Sequence, residues 1–201
     1  VGFGHFSTVW RAVERETGRE VAVKVVKSAR TYTETARDEI KFLQAIAAHD
    51  PEQRQHVLHL IDTFTVTGPN GTHVCIVTDL AGSSLLSLIE EYDHRGIPVS
   101  AVRRISKQLL EALDFIHTQC NLIHTDVKPE NVLLVGETSK IKLIDFGSAC
   151  FDVRTLYTYI QSRFYRAPEI VLGLPYTPAI DMWSLGCIVA ELFFGIPLFV
   201  S

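Results

Sequence analysis

The chain has 201 residues, 47% of them hydrophobic and 21% charged, enough apolar material for one ordinary domain or for two lobes sharing an interface. A net charge of −4 and a pI near 6.1 argue against nucleic acid or an anionic membrane as the main partner. The four cysteines, Cys75, Cys120, Cys150 and Cys187, are dispersed with no CxxC pair; this argues against a disulfide framework or zinc site and for a reducing compartment, cytoplasm or nucleus.

The N-terminal VGFGHFSTVW lacks the layout of a signal peptide. Residues 1–26 predict a β-hairpin: FSTVWRAV, a turn at ETGRE, then VAVKVV, alternating and rich in β-branched types. The turn GFGHFSTV, with Gly2 and Gly4 and a serine at position 7, would let backbone N–H groups approach a phosphate closely. A strand follows it rather than a helix, which rules out a dinucleotide fingerprint, and taken alone the turn is better read as a ligand-free glycine hairpin. Lys24 sits in an otherwise apolar strand, where a buried amine requires a partner. Thr31-x-x-Glu34 predicts a capping box opening a helix whose inner face carries Ala36, Ile40, Leu43 and Ala47. Glu39 lies toward that face as a candidate partner for Lys24, although both also suit surface sites where long side chains snorkel.

Two strand-like runs follow, VLHLIDTFTV and HVCIVTDL, around the turn TGPNGT. Then helical periodicity takes over: SSLLSLIEEY, and a longer helix with Val102, Ile105, Leu109, Leu113 and Ile116 at helical spacing. NVLLV and KIKLI predict short strands ahead of an irregular stretch from about residue 145 to 169. The apolar run Ile180–Phe199 carries Asp181 and Glu191 and ends Gly-Ile-Pro, a buried helix rather than a membrane span. Strands first and helices after predict two lobes with a junction near residues 79–83.

Chemistry concentrates in LIHTDVKPENVLL, residues 122–134. Asp126 can accept a proton from a hydroxyl nucleophile, and Lys128 can neutralise a phosphoryl group in transit. Asn131 and, in LIDFG, Asp145 offer the hard oxygen ligands that Mg²⁺ prefers, with nucleotide phosphates completing the shell. The structural alternative is a cluster of helix caps.

Taken in order, GFGHFS, VAVK, Glu39, HTDVKPEN, DFG and APE resemble the eukaryotic protein kinases over essentially the whole chain. The resemblance implies an α+β bilobal fold, with a small β-rich N-lobe over 1–79 and a helical C-lobe over 80–201, truncated at both ends and lacking the final helices. It implies ATP and Mg²⁺ as cofactors and transfer of the γ-phosphate to protein Ser or Thr hydroxyls. Lys24 would contact the α- and β-phosphates and pair with Glu39; Asp126 would be the base, with Lys128 beside it; Asn131 and Asp145 would hold Mg²⁺. Gly2 and Gly4 would cover the phosphates, Val9, Ala22 and Leu133 would sandwich adenine, and Asp79 and Ala81 would offer hinge backbone groups beyond a gatekeeper, Thr78. Leu43, His124 and Phe146 would form a packed column between the lobes, and Asp181 would anchor the catalytic loop. A pseudokinase scaffold or inactive fragment is the alternative. Its mark is loss of the lysine, base or metal ligand, and all are present here.

Two sub-families of one group, CMGC, share the resemblance. GFGHFSTVW, GPNGTHVCIV and HTDVKPENVLL resemble SR-protein kinases, whereas DFGSACFDVRTLYTYIQSRFYRAPEIVLG and AIDMWSLGCIVAEL resemble the DYRK/Yak type. Expected substrates are accordingly Arg/Ser-rich or Ser/Thr-Pro protein segments, with no direct nucleic acid, no membrane and a monomer at full length. Thr125 stands where many kinases place an arginine that binds an activation-loop phosphate; it has no charge, so activity is expected not to depend on such docking. Tyr157 and Tyr159 fit packed aromatics, while the DYRK resemblance implies autophosphorylation of Tyr159 with Arg163 or Arg166 as phosphate partners. The apolar helix at 180–195, without further helices to cover it, leads us to expect poor solubility of residues 1–201 alone.

Overall fold

In a computed structural model that describes residues 2–3, 6–136, 140–152 and 159–200, an antiparallel five-stranded sheet precedes a mainly helical half. Its strands are β1 (Gly2–Phe3), β2 (Ser7–Val13), β3 (Glu20–Val26), β4 (Leu60–Gly68) and β5 (Gly71–Asp79), in the order β1-β2-β3-β5-β4. Strand register sets Val9 opposite Lys24, Ala22 opposite Thr78, and Lys24 opposite Ile76. Because side chains alternate along a strand, Val9, Ala22, Lys24, Ile76 and Thr78 therefore share one face of the sheet.

Helix α1 (Arg30–His49) lies against that face. The predicted capping box does not form. The N-cap is Ala29, without a side-chain bond; Thr31 is already inside the first turn, and Glu34 pairs instead with Arg30, one helical turn away, at 2.8 Å. The buried stripe is also rotated from the predicted one. It runs through Ala36, Glu39, Phe42, Leu43 and Ile46, leaving Ile40 and Ala47 half-buried. The reason is that α1 packs on the 3₁₀ turn Phe146–Ser148 as well as on the sheet, and Phe42 meets Phe151 with ring centroids 5.2 Å apart.

The second half begins with α2 (Leu85–Glu91), capped by Ser84, whose Oγ accepts the Ser87 N–H at 3.1 Å. Helix α3 (Val99–Thr118) buries Val102, Ile105, Leu109, Leu113 and Ile116, the spacing read from the sequence. Short strands follow: β6 (Leu122–Ile123), β7 (Val132–Val135), β8 (Lys140–Leu143) and β9 (Cys150–Phe151), paired as β6 with β9 and β7 with β8. Helices α4 (Pro168–Val171) and α5 (Ala179–Phe194) complete the described chain. One continuous apolar core joins the halves, from Leu43, Ile46 and Ile76 through Phe146 and Leu143 to Leu109 and Ile188. Cys75, Cys120, Cys150 and Cys187 are all buried free thiols. Met182, Trp183, Phe193 and Phe194 of α5 remain exposed. Among the described residues no helix is long and apolar enough to cross a membrane.

Helix α5 stops at Gly195, in the left-handed region at φ +85, where a Cβ would stand 2.2 Å from the His94 carbonyl oxygen. Both the dihedral and the close approach require glycine. Gly195→Ala is expected to lower stability by about 2–4 kcal/mol, read as a fall in the urea midpoint at unchanged slope.

Candidate active site

The segment from His124 to Asn131 connects β6 to β7, and its shape is set from below by Asp181 in the first turn of α5. That carboxylate is fully buried. A buried carboxylate is tolerable only with donors around it, and Asp181 takes the backbone N–H of His124 (2.8 Å) and of Thr125 (2.9 Å), with His117 Nε2 at 2.8 Å. His124, itself buried, reaches the Ile144 carbonyl through Nε2 (2.9 Å) and packs edge-on against Phe146 at 5.0 Å. The Ile144 N–H donates to the Asn131 carbonyl at 2.9 Å, bringing the Asp145 turn beside the loop.

Within the loop, Lys128 Nζ lies 2.7 Å from Asp126 Oδ2, and Asn131 Nδ2 donates to the Asp126 carbonyl at 2.9 Å. Asp126 Oδ1 accepts the Ser162 hydroxyl at 2.7 Å and the Ser162 N–H at 3.2 Å, while Lys128 also donates to Ser162 Oγ at 3.0 Å. Ser162 was not singled out in the sequence. A lone serine in an irregular stretch has no periodicity or spacing to mark it, and only the fold carries it to Asp126.

Lys24 Nζ stands 2.8 Å from both Glu39 carboxylate oxygens and 3.3 Å from Asp145 Oδ1. Burial alone would lower the lysine pKa, but the Glu39 and Asp145 carboxylates outweigh it and raise it. One ammonium serves two carboxylates. Glu39 is the more deeply buried and is pushed up, by its burial first, despite the charge of Lys24. Asp145 is half exposed to the cleft; burial would raise its pKa, but the Lys24 ammonium, neighbouring His124 and the Gly147 N–H outweigh burial and hold it down. The turn is tight: Asp145 has φ +63, and a Cβ on Gly147 would sit 3.3 Å from its Oδ1.

Val9 and Ala22 are half-buried on the Lys24 face of the sheet, with Thr78 buried beside them. Leu133 bridges to Ser84 across the linker between the halves, and the Gly82 N–H donates to the Leu134 carbonyl at 2.7 Å. Ala81 is half-buried in that linker. Asp79 ends β5 there, and its carboxylate is gripped by Arg19 from the β2–β3 turn and by Lys142 from β8, a cross-half tie that the sequence did not suggest. Gly2 pairs with Val9, whereas Gly4 and Tyr157 lie outside the described residues. Among the described residues no cluster of three or more His, Cys, Asp or Glu suits a metal ion. With Nδ2 of Asn131 turned to Asp126, its amide oxygen and the exposed Asp145 carboxylate make a sparse all-oxygen set. That suits Mg²⁺, which keeps water and phosphate ligands of its own.

The chain is 38% identical to the serine/threonine-protein kinase SRPK of Physarum polycephalum, aligned over 255 positions that cover 99% of this chain and 60% of that protein. It is 44% identical over 201 positions to the dual specificity protein kinase YAK1 of Saccharomyces cerevisiae, and 41% identical to the DYRK-family kinase pom1 of Schizosaccharomyces pombe. In each case the match covers 99% of this chain but only 24% and 18%, respectively, of the relative. The CMGC resemblance is thus seen on both its sides, SRPK and DYRK/Yak. The family profile described as the protein kinase domain matches residues 1–201, the same span over which sheet, linker, loop and helices assemble the cleft, and the chain belongs to the protein kinase domain family.

Proposed function

We propose that the protein transfers the γ-phosphate of ATP to Ser or Thr hydroxyls of protein substrates. The observation that carries this reading is the lysine at the centre of the cleft: Lys24 held at 2.8 Å by Glu39 and at 3.3 Å by Asp145, beside a loop that presents Asp126 and Asn131. Lys24 is thereby aimed to contact nucleotide phosphates, and Asn131 and Asp145 would hold Mg²⁺, which supplies charge neutralisation when bound. Asp126 would accept the proton of the attacking hydroxyl. Its Oδ1 already accepts a hydroxyl, that of Ser162, in the geometry such a step needs. Lys128, 2.7 Å from Asp126, is placed to offset the charge moving onto the transferred group. Most of the acceleration would come from positioning and preorganised charge. Four buried free thiols support the reading of a reducing compartment, cytoplasm or nucleus.

Geometry around Ser162 supports a Ser/Thr-Pro preference. Gln161 is in the left-handed region at φ +66, and its carbonyl is taken by Arg166 at 2.9 Å, as is that of Ile160 at 3.0 Å. A substrate N–H arriving here finds these carbonyls already satisfied. Proline, having no N–H, loses nothing by binding there. An Arg/Ser-rich substrate is the second reading. It is favoured by a cavity of about 380 Å³ beside Ser162, lined by Glu130 and Glu191 as well as Arg163. The YAK1 alignment, with no excess over the length of this chain, sides with the DYRK/Yak type. Tyr159 is 79% exposed, with the Arg166 guanidinium 4.3 Å from its ring centre and its hydroxyl pKa lowered by Arg166, first through a hydrogen bond and then through charge. Arg166 is thus the nearer phosphate partner for a modified Tyr159.

Asp145→Ala and Lys24→Met should each reduce phosphotransfer by at least about a hundredfold, the scale of losing one preorganised electrostatic contact, with the circular dichroism of the fold retained. Near-normal turnover in either would remove the reading. In a peptide panel comparing Ser-Pro, Ser-Ala and Arg/Ser repeats, Ser-Pro should exceed Ser-Ala in kcat/KM by about tenfold, the scale of one unsatisfied N–H. Equal rates would discard the proline argument. Mass spectrometry of active protein should find phosphate on Tyr159, and an active preparation unmodified there would dismiss autophosphorylation.

A further inference from the structure

Strands β6 and β9 pair Leu122 with Phe151 and Ile123 with Cys150. Continuing that antiparallel register one and two residues inward sets His124 against Ala149 and Thr125 against Ser148. The backbone ladder cannot continue there. Thr125 turns into the left-handed region at φ +67, a conformation disfavoured for a β-branched residue, and its N–H points instead to Asp181 Oδ1 at 2.9 Å. The Ser148 carbonyl is nevertheless paired, because the Thr125 hydroxyl donates to it at 2.7 Å. Thr125 is 1% exposed, so this side chain is locked in place. Ser148 closes the 3₁₀ turn Phe146–Ser148 that begins directly after Asp145, and the Ala149 N–H returns to the Phe146 carbonyl at 3.1 Å.

We infer that Thr125 is a positioning residue whose hydroxyl replaces the lost ladder donor and fastens the Asp145 turn to the loop bearing Asp126, with no charge or phosphate taking part. The two carboxylates of the cleft, one residue beyond Thr125 and three residues before Ser148, are thereby held in register by a neutral bond. An arginine at this position would have to find a phosphate on the activation segment to do comparable work; a threonine is complete in itself. The consequence for nucleotide binding rests on the kinase reading, but the tether itself does not.

The test compares wild type with Thr125→Val, which keeps the shape and removes the donor, and Thr125→Ser, which keeps the donor, all in the full protein. By hydrogen exchange, the amides of residues 146–150 in T125V should exchange about tenfold faster while those of α3 and α5 are unchanged, and T125S should restore protection to within about twofold of wild type. In kinetics, T125V should raise KM for magnesium-ATP by about tenfold at unchanged peptide KM, and phosphatase treatment of wild type should change neither measurement. Wild-type protection in T125V, equal loosening of α3 and α5, or T125S behaving as T125V would each overturn the inference. So would loss of the wild-type pattern on dephosphorylation. A wild-type protein that transfers no phosphate would instead remove the kinase reading, and the exchange pattern would still decide the role of Thr125.

Discussion

A carboxylate with no exposed surface has to be surrounded by donors, and that requirement at Asp181 shapes the centre of this molecule. It draws the amides of His124 and Thr125 onto the first turn of α5, 57 and 56 residues away in sequence. Once those amides are committed, Thr125 must turn left-handed, the β6–β9 ladder ends, and the loop swings out so that Asp126, Lys128 and Asn131 emerge together on the cleft side. Removing Asp181 would therefore strand two buried amides and release the loop at once, a coupling no single contact reveals.

The upper half is tied to this centre by charge. Lys24 on β3, Glu39 on α1 and Asp145 after β8 come from three separate elements, and the ammonium between them sets how closely the sheet, the helix and the lower half approach. The rotation of α1 that buries Glu39 in place of Ile40 or Ala47 is part of the same arrangement. A second tie lies at the linker, where Arg19 and Lys142 converge on Asp79. Between these two ties the half-buried Val9 and Ala22 above, beside buried Thr78, and half-buried Leu133 below are left to bound a cleft.

On the far side of Asp126 the polar groups are already satisfied within the protein. The Gln161 side chain is spent on Ala167, Ile180 and Ser184, and its carbonyl on Arg166. Glu191, buried and accepting the Tyr165 hydroxyl at 2.6 Å, is among the residues lining the neighbouring cavity, its pKa raised by burial. Selectivity here would arise as much from the acceptors a substrate can no longer reach as from those it can.

Much was legible in the chain itself. Period-two and helical periodicities are properties of neighbouring residues, so the hairpin, the long helix with its five buried positions and the apolar helix with its glycine stop could be read directly. The chemical residues Lys24, Asp126, Asn131 and Asp145 announced themselves because charged and amide groups inside apolar runs demand a purpose. What the chain could not convey were pairings across long separations: Ser162 on Asp126, the Thr125 hydroxyl on Ser148, Arg166 on two carbonyls, Arg19 and Lys142 on Asp79. The start and rotation of α1 belonged to that class too, for Thr31 and Glu34 had the composition of a cap but the preceding strand and the Phe146 turn decided where the helix begins and faces. Local spacing determines which element forms and which groups carry charge. Which of those groups meet, and which donor is left for which acceptor, is settled only when packing has removed every alternative partner.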